Sequence, residues 1–178
     1  MKNTFSEMIK PVLVLVLICL VVTALLAYVN TVTSPIIAKA EQAKTEQAMS
    51  EVLKEADSFE KLTLKNIPES VTDAYRAENG AGYVFMMTAK GYGGDIKLIC
   101  GIKSDGKVEQ CKTLSHSETS GLGSKITEDP YKSQYSGKTS DSVSEVDAIS
   151  GATISSNAYK SAVEAAFEAY DIAKEAVK

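Results

Sequence analysis

Nineteen consecutive residues without a charge, Pro11 to Val29 (PVLVLVLICLVVTALLAYV), set the first constraint on this chain. At 1.5 Å of rise per residue a helix of that length spans about 28 Å, close to the hydrocarbon core of a bilayer. Thirteen of the residues are Leu, Ile or Val, each favouring insertion by about 0.3–0.6 kcal/mol near a helix centre. The segment reads as one membrane-spanning helix. The competing reading, a cleaved signal peptide, has an apolar core of about 7–15 residues and a small-x-small site. Leu25-Leu26-Ala27 lacks the small first residue and Val22-Thr23-Ala24 is a weaker match, so an uncleaved anchor is expected. Lys2 and Lys10 place the short leader in the cytoplasm by the positive-inside rule, although Lys39 and Lys44 stand on the far side. The expected partition is a leader over 1–10, a transmembrane helix over 11–29, a helical connector over 30–60 and an extracytoplasmic domain over 61–178.

The rest of the chain is acidic. The whole carries 19 Lys+Arg against 23 Asp+Glu, and setting aside Lys2, Lys10 and Glu7 leaves a net charge near −5. Acidic and basic residues alternate, so the clustered cation needed by a nucleic-acid surface is missing. With Gly 11, Pro 4 and Cys 3, collagen-like, disordered and disulfide-scaffold classes also fall away.

Beyond the membrane, Ser34-Pro35 suits a helix start, and the run to about Ala56 is rich in Ala, Glu, Lys and Gln. A short strand is expected over 62–67, followed by a turn at Pro68-Glu69-Ser70. From Val71 to Leu114 the apolar period shortens and glycines interrupt it, the pattern of an antiparallel meander. Tyr75 falls in its first strand and Tyr83 to Thr88 in its second. Ile96 to Lys103 and Lys107 to Leu114 form a hairpin around Asp105-Gly106, and Asn79-Gly80 is another turn signal. The stretch 115–144 reads as a long polar loop, which inside a compact domain is usually functional. A final helix is expected after Ser155 or Ser156 as cap. Tyr159, Val163, Ala166, Phe167, Tyr170, Ala173 and Val177 make its apolar stripe. The fold class is α+β: one transmembrane helix followed by an antiparallel sheet with flanking helices.

Most hydrolytic chemistry lacks its parts. A single histidine, His116, rules out a His-rich metal site and argues against a Ser-His-Asp triad. There is no G-x-S-x-G, Walker A loop, G-x-G-x-x-G or C-x-x-C. No independent acid–base site and no metal site are expected. The cysteines depend on register. A two-residue turn at Asp105-Gly106 sets Cys100 opposite Cys111, within disulfide reach. A three-residue loop with a glycine bulge pairs Ile102 with Val108 and turns the two cysteines to opposite faces, leaving two buried thiols.

Two segments carry more chemistry. In Ser115 to Gly123, Gly121 and Gly123 flank Leu122 at the end of a strand and let backbone approach a flat ligand; an ordinary glycine turn has the same composition. Asp147 to Ser156 (DAISGATISS) puts small polar residues just before a helix, where free N–H groups and the helix dipole favour an anion. By itself that segment is also consistent with a plain helix cap.

Taken with the anchor and the Gly-Tyr-Gly-Gly-Asp-Ile run at 91–96, these segments resemble the RnfG family, the flavin-binding subunits of Rnf ferredoxin–NAD oxidoreductase complexes. The NqrC-type flavin subunit of the sodium-pumping NADH–quinone oxidoreductase is similar. The resemblance implies an electron-transfer subunit in a multisubunit, ion-translocating redox enzyme. It implies FMN attached by a flavin transferase, through its phosphate, to the last threonine of a D-x-x-[ST]-G-A-T motif. That residue is Thr153. Asp147, Ser150, Gly151, Ala152 and Ser155 would then surround the linkage, while Glu118, Thr119, Gly121, Leu122 and Gly123 lie along the isoalloxazine ring. The family loop is usually E-T-P-G-L-G, and here Ser120 replaces the proline. The alternatives are a quinone-reducing pump component, a stand-alone flavin relay, or an anchored binding or sensor module without flavin.

Overall fold

The computed structural model describes residues 2–176, which form two compact units that divide between Lys44 and Thr45. The long helix α1 runs over Lys2–Val52. In the first unit its side chains from Ile9 to Val29 are exposed on every side, with no polar face. It is long and apolar enough to cross a bilayer, with a mean hydropathy of 3.1 over its most apolar 18 residues. Thr23 and Thr31 turn their hydroxyls back onto the carbonyls of Cys19 (2.7 Å) and Ala27 (2.9 Å), which hides them from an apolar solvent.

The Ser34-Pro35 pair does not open a second helix. Ser34 Oγ is turned onto Asn30 Oδ1 at 3.3 Å instead of capping a free N–H. Pro35 omits one helical bond, and the helix continues on both sides of it.

The second unit holds a five-stranded antiparallel sheet in sequence order: β1 (Phe59–Leu62), β2 (Val71–Ala77), β3 (Gly82–Lys90), β4 (Asp95–Lys103) and β5 (Val108–Ser115). β1 lies earlier than the expected 62–67, because Asn66 takes a left-handed φ of 61° just ahead of the Pro68 turn. Phe59 and Leu62 instead pair with Ala77 and Ala74.

Both faces of the sheet are covered. The C-terminal helix α3 (Thr153–Ala176) lays Tyr159, Val163, Ala166, Phe167, Tyr170 and Ala173 on a core built from Phe85, Met87, Ile96, Leu98, Cys100 and Ile102. Each large apolar side chain so buried stabilises the fold by about 1.5–3 kcal/mol. Val177, the last expected member of that stripe, lies outside the described residues. On the opposite face Met49, Val52 and Leu53, at the end of α1, cover Ala77, Val84 and Ile99. Gly101 permits this approach, since a Cβ there would stand 2.1 Å from the Val52 carbonyl oxygen. This double cover explains β4: its start alternates exposed and buried, then Leu98 to Ile102 are all buried.

The β4–β5 register combines the two sequence expectations. Ile102 pairs with Val108, as the bulged loop requires, and Cys100 pairs with Cys111, as the tight turn requires. The register shifts between these pairs, with Glu109 as the extra residue of a bulge, so both cysteines face α3.

The polar stretch after β5 is more ordered than its composition suggests. It contains 3₁₀ turns over Gly123–Thr127, Ser133–Tyr135 and Val143–Glu145 and the single-turn helix α2 (Asp129–Lys132). Ile126, Tyr131, Tyr135, Val143 and Val146 are buried. Tyr131/Tyr135 and Val143/Val146 are pairs one helical turn apart, too short to make a sustained period.

Candidate functional site

Three segments meet beside the start of α3. The first is the turn between β3 and β4, where Gly91 N–H donates to the Gly94 carbonyl at 2.8 Å and Tyr92 projects outward, 73% exposed. The second is the loop leaving β5. Thr119 C=O accepts from the N–H groups of Leu122 (3.3 Å) and Ser124 (3.1 Å), and Gly121 N–H donates to Ser124 Oγ (2.9 Å). These bonds close the loop on itself even with Ser120 where proline is expected. The third is the entry to α3, where Ala152 N–H donates to Ile149 C=O and Ser156 N–H to Ala152 C=O, each at 2.9 Å.

Glu118 fastens the three together. Its carboxylate is buried; Oε1 accepts from Gly93 N–H at 3.0 Å and Oε2 accepts from the Ser155 hydroxyl. Its own N–H donates to His116 Nδ1 at 3.2 Å. Glycines make room for it: a Cβ on Gly91 would come within 2.2 Å of Oε1, and one on Gly123 within 2.7 Å of Oε2. A buried carboxylate is costly unless hydrogen-bonded, and here it is bonded to one neighbouring segment through each oxygen.

Above this clasp opens a cleft of about 420 Å³ lined by Tyr92, Glu118, Thr119, Leu122, Gly123 and residues 151–155. Its rim is apolar and open to solvent, with Tyr92, Leu122 and Ile154 all exposed. Gly151, at φ 80°, brings the chain under Leu122, whose Cδ1 would lie 3.1 Å from an added Cβ. Thr153 is the first residue of α3 and is exposed. The first N–H groups of a helix have no intrahelical partner and carry the positive end of its dipole, so an anion on this hydroxyl would be stabilised.

Glu118, Thr119, Leu122, Gly123, Gly151, Ala152, Thr153 and Ser155 thus share one cleft. Gly121, Asp147 and Ser150 are exposed on the same loops but do not line it. Neither Ser155 nor Ser156 caps α3, which already begins at Thr153. Both serines are buried: Ser155 serves Glu118, and Ser156 Oγ accepts from Ile149 N–H at 3.0 Å. Tyr92 and Ile154 line the cleft although the sequence alone gave them no site role. Their signal was an aromatic ringed by three glycines and a β-branched residue just inside a helix start, and each also suits a simple turn or helix.

The residues fit a flat aromatic ring with a phosphate tail. Two glycine-lined walls and an apolar rim suit the ring, and the start of a 24-residue helix suits the phosphate.

Residues 91–168 match the FMN-binding domain model and residues 1–52 match the RnfG N-terminal region model. The chain is 31% identical to the G subunit of the proton-translocating ferredoxin:NAD(+) oxidoreductase complex of Clostridium ljungdahlii, over 86% of each chain. It is 32% identical to the G subunit of the ion-translocating oxidoreductase complex of Methanosarcina acetivorans, over 92% of this chain and 94% of that one. Identity is 28% to the G subunit of the Na(+)-translocating ferredoxin:NAD(+) oxidoreductase complex of Acetobacterium woodii, over 89% of each.

Proposed function

The chain belongs to the RnfG family, the G subunits of Rnf-type ion-translocating oxidoreductase complexes, and from that premise we propose that it carries FMN as a phosphoester on Thr153. Its family makes it a membrane-associated electron-transfer subunit of a ferredoxin:NAD oxidoreductase, with an FMN-binding domain and with other subunits of the complex as partners. Bound FMN supplies the redox chemistry, so the chain needs no acid–base constellation of its own.

The observation that carries the covalent reading is the position of Thr153: an exposed hydroxyl at the first residue of α3, on the wall of an apolar-rimmed cleft. The helix start stabilises the charge left on a phosphodiester. Gly151 and Ala152 leave space beside the linkage. Tyr92, Leu122 and Ile154 shield a ring from water, while Glu118 holds the walls at a fixed separation. Asp147 and Ser150 stand on the exposed loop before α3, where a flavin transferase would read them. A tether keeps the cofactor at a local concentration near millimolar or above, which matters where free flavin is dilute. That is the case if the leader lies in the cytoplasm and the domain outside, as the Lys2 and Lys10 reading has it.

Intact mass tests this directly, on full-length chain made in membranes together with a flavin transferase. The expected gain is the mass of FMN less water, mapped to the peptide containing Thr153 and lost in Thr153→Val. An unmodified mass, while a known transferase substrate in the same cells is labelled, would sink the covalent reading and favour an anchored binding module.

A further inference from the structure

Cys100 and Cys111 are cross-strand partners in adjacent strands, and their sulfurs lie 3.1 Å apart, with Cys111 Sγ–H donating to Cys100 Sγ. Both side chains are fully buried in the core between the sheet and α3. We propose that these two residues are a disulfide-forming pair, which locks the β4–β5 hairpin when the chain folds in the presence of a disulfide oxidant.

The geometry supports closure without backbone rearrangement. Residues directly opposite in an antiparallel ladder have Cα atoms about 4.5 or 5.5 Å apart, inside the range a disulfide accepts. The bulge at Glu109 is what makes this so. Without the extra residue, the pairing of Ile102 with Val108 would continue down the hairpin and send the two thiols to opposite faces. The remaining cysteine, Cys19, is exposed on α1, outside the sheet.

Burial dictates when the bond forms. Enclosed thiols are out of reach of oxidant, and burial together with the neighbouring Cys100 pushes the Cys111 thiol well above its ordinary range, so thiolate is scarce in the folded domain. Oxidation therefore belongs to the folding chain. One cysteine thiolate attacks a small-molecule disulfide such as oxidised glutathione, giving a mixed disulfide and one reduced glutathione. The second cysteine then displaces the other glutathione. One S–S bond forms in the protein and one breaks in the oxidant, two thiol protons pass to the two glutathione thiols, and two electrons reduce the oxidant.

The bond would act on the cleft. β4 begins one residue after Gly94 and β5 ends at Ser115, so the two cleft walls that meet at Glu118 are the extensions of the cross-linked strands. A bridge three residues inside Lys97, which pairs with Ser115, limits how far those walls part.

The test uses full-length chain synthesised cell-free into lipid nanodiscs under an oxidising glutathione buffer, then denatured and alkylated without reduction. The expected product is two hydrogens lighter than the reduced chain and takes one alkyl group, on Cys19. Trypsin should release Leu98–Lys103 joined to Val108–Lys112. Cys100→Ser and Cys111→Ser should each take two alkyl groups. Reductant should lower the wild-type Tm by a few degrees and leave Cys100→Ser unmoved. Three alkylated thiols in the wild type, stable glutathione adducts, or a bridge to Cys19 would each overturn the proposal.

Discussion

Ser155 donates its hydroxyl to Glu118 across 37 residues of sequence, tying the first turn of α3 to the loop that leaves β5. Through its other oxygen Glu118 also holds Gly93, so one buried carboxylate sets the spacing of the cleft. Glu118→Ala should leave the Ser155 hydroxyl and the Gly93 N–H without partners, at about 1–3 kcal/mol each. Thermal unfolding in detergent should show a clearly lowered Tm. Glu118→Gln keeps the shape and one acceptor and should recover more than half of the loss. Equal losses in the two variants would mean that the carboxylate's second bond, not its bulk, holds the clasp.

The glycines around that carboxylate separate crowding from backbone conformation. Gly91→Ala would drive a Cβ to 2.2 Å from Glu118 Oε1 and 2.7 Å from Ile96 Cδ1. Gly121→Ala meets nothing within 4 Å but must adopt φ 75°, a cost of about 1–3 kcal/mol. In urea unfolding Gly91→Ala should be the more damaging of the two and should also reduce flavin incorporation. A larger effect from Gly121→Ala would show that the turn tolerates a methyl group against Glu118.

Acid stability should depend on a contact far from the cleft. Lys112 Nζ donates to Glu51 Oε2 at 2.5 Å, joining the end of α1 to β5. That bond, with one from Gln47, holds the Glu51 carboxyl below its ordinary range. A carboxyl with a lowered folded-state pKa contributes stability above its unfolded value, near 4.3. That contribution fades as pH falls through the folded value. Glu51→Gln should therefore lower Tm slightly at pH 7 and converge with the wild type near pH 3, which flattens the fall in Tm between about pH 5 and pH 3. An unchanged acid profile would remove the pair from the account.

How much of this was readable beforehand follows the periodicity of the residues. The anchor, the meander and α3 carry strong periods of their own, and Tyr159, Val163 and Phe167 all lie on the core as their spacing implies. The Thr153 segment is marked by small polar residues just ahead of a helix, and Thr153 itself by the motif of the resembling family. The roles of Glu118 and Ser155 were not separable from the flavin contacts implied by family resemblance, because an interior bond between two polar residues leaves no pattern in either segment. The Glu109 bulge escaped notice for a related reason. Each of the two registers satisfied one pair of residues, and only an inserted residue satisfies both. The anchors Tyr131 and Tyr135 are hidden because a single i, i+4 pair in a polar stretch makes no sustained period.

Those tyrosines give the last prediction. Tyr131, Tyr135 and Tyr159 pack with ring centroids 5.4–5.6 Å apart beneath α3. Tyr131 and Tyr135 share a hydroxyl bond of 2.8 Å, and Tyr131 also bonds the Ser156 carbonyl at 2.9 Å. Tyr159 Oη is enclosed near Thr113 without reaching hydrogen-bond geometry. Burial pushes all three phenols up, so they stay protonated in the folded domain. Tyr159→Phe removes a polar atom that has no partner and should leave stability unchanged or raise it slightly. Tyr131→Phe breaks two bonds and leaves the buried Tyr135 hydroxyl without a partner, costing about 1–3 kcal/mol. The comparison is a pair of urea curves at pH 7. A loss on Tyr159→Phe as large as that on Tyr131→Phe would mean that Tyr159 and Thr113 are bonded in solution. The sign with pH is fixed as well. Phenols with raised folded-state pKa values stabilise fully below the unfolded value, near 10. That stability is lost as pH rises through it, because the unfolded chain ionises and the folded one does not. The wild-type domain should therefore lose Tm steeply above about pH 10, and the triple Phe variant should lose less over the same interval.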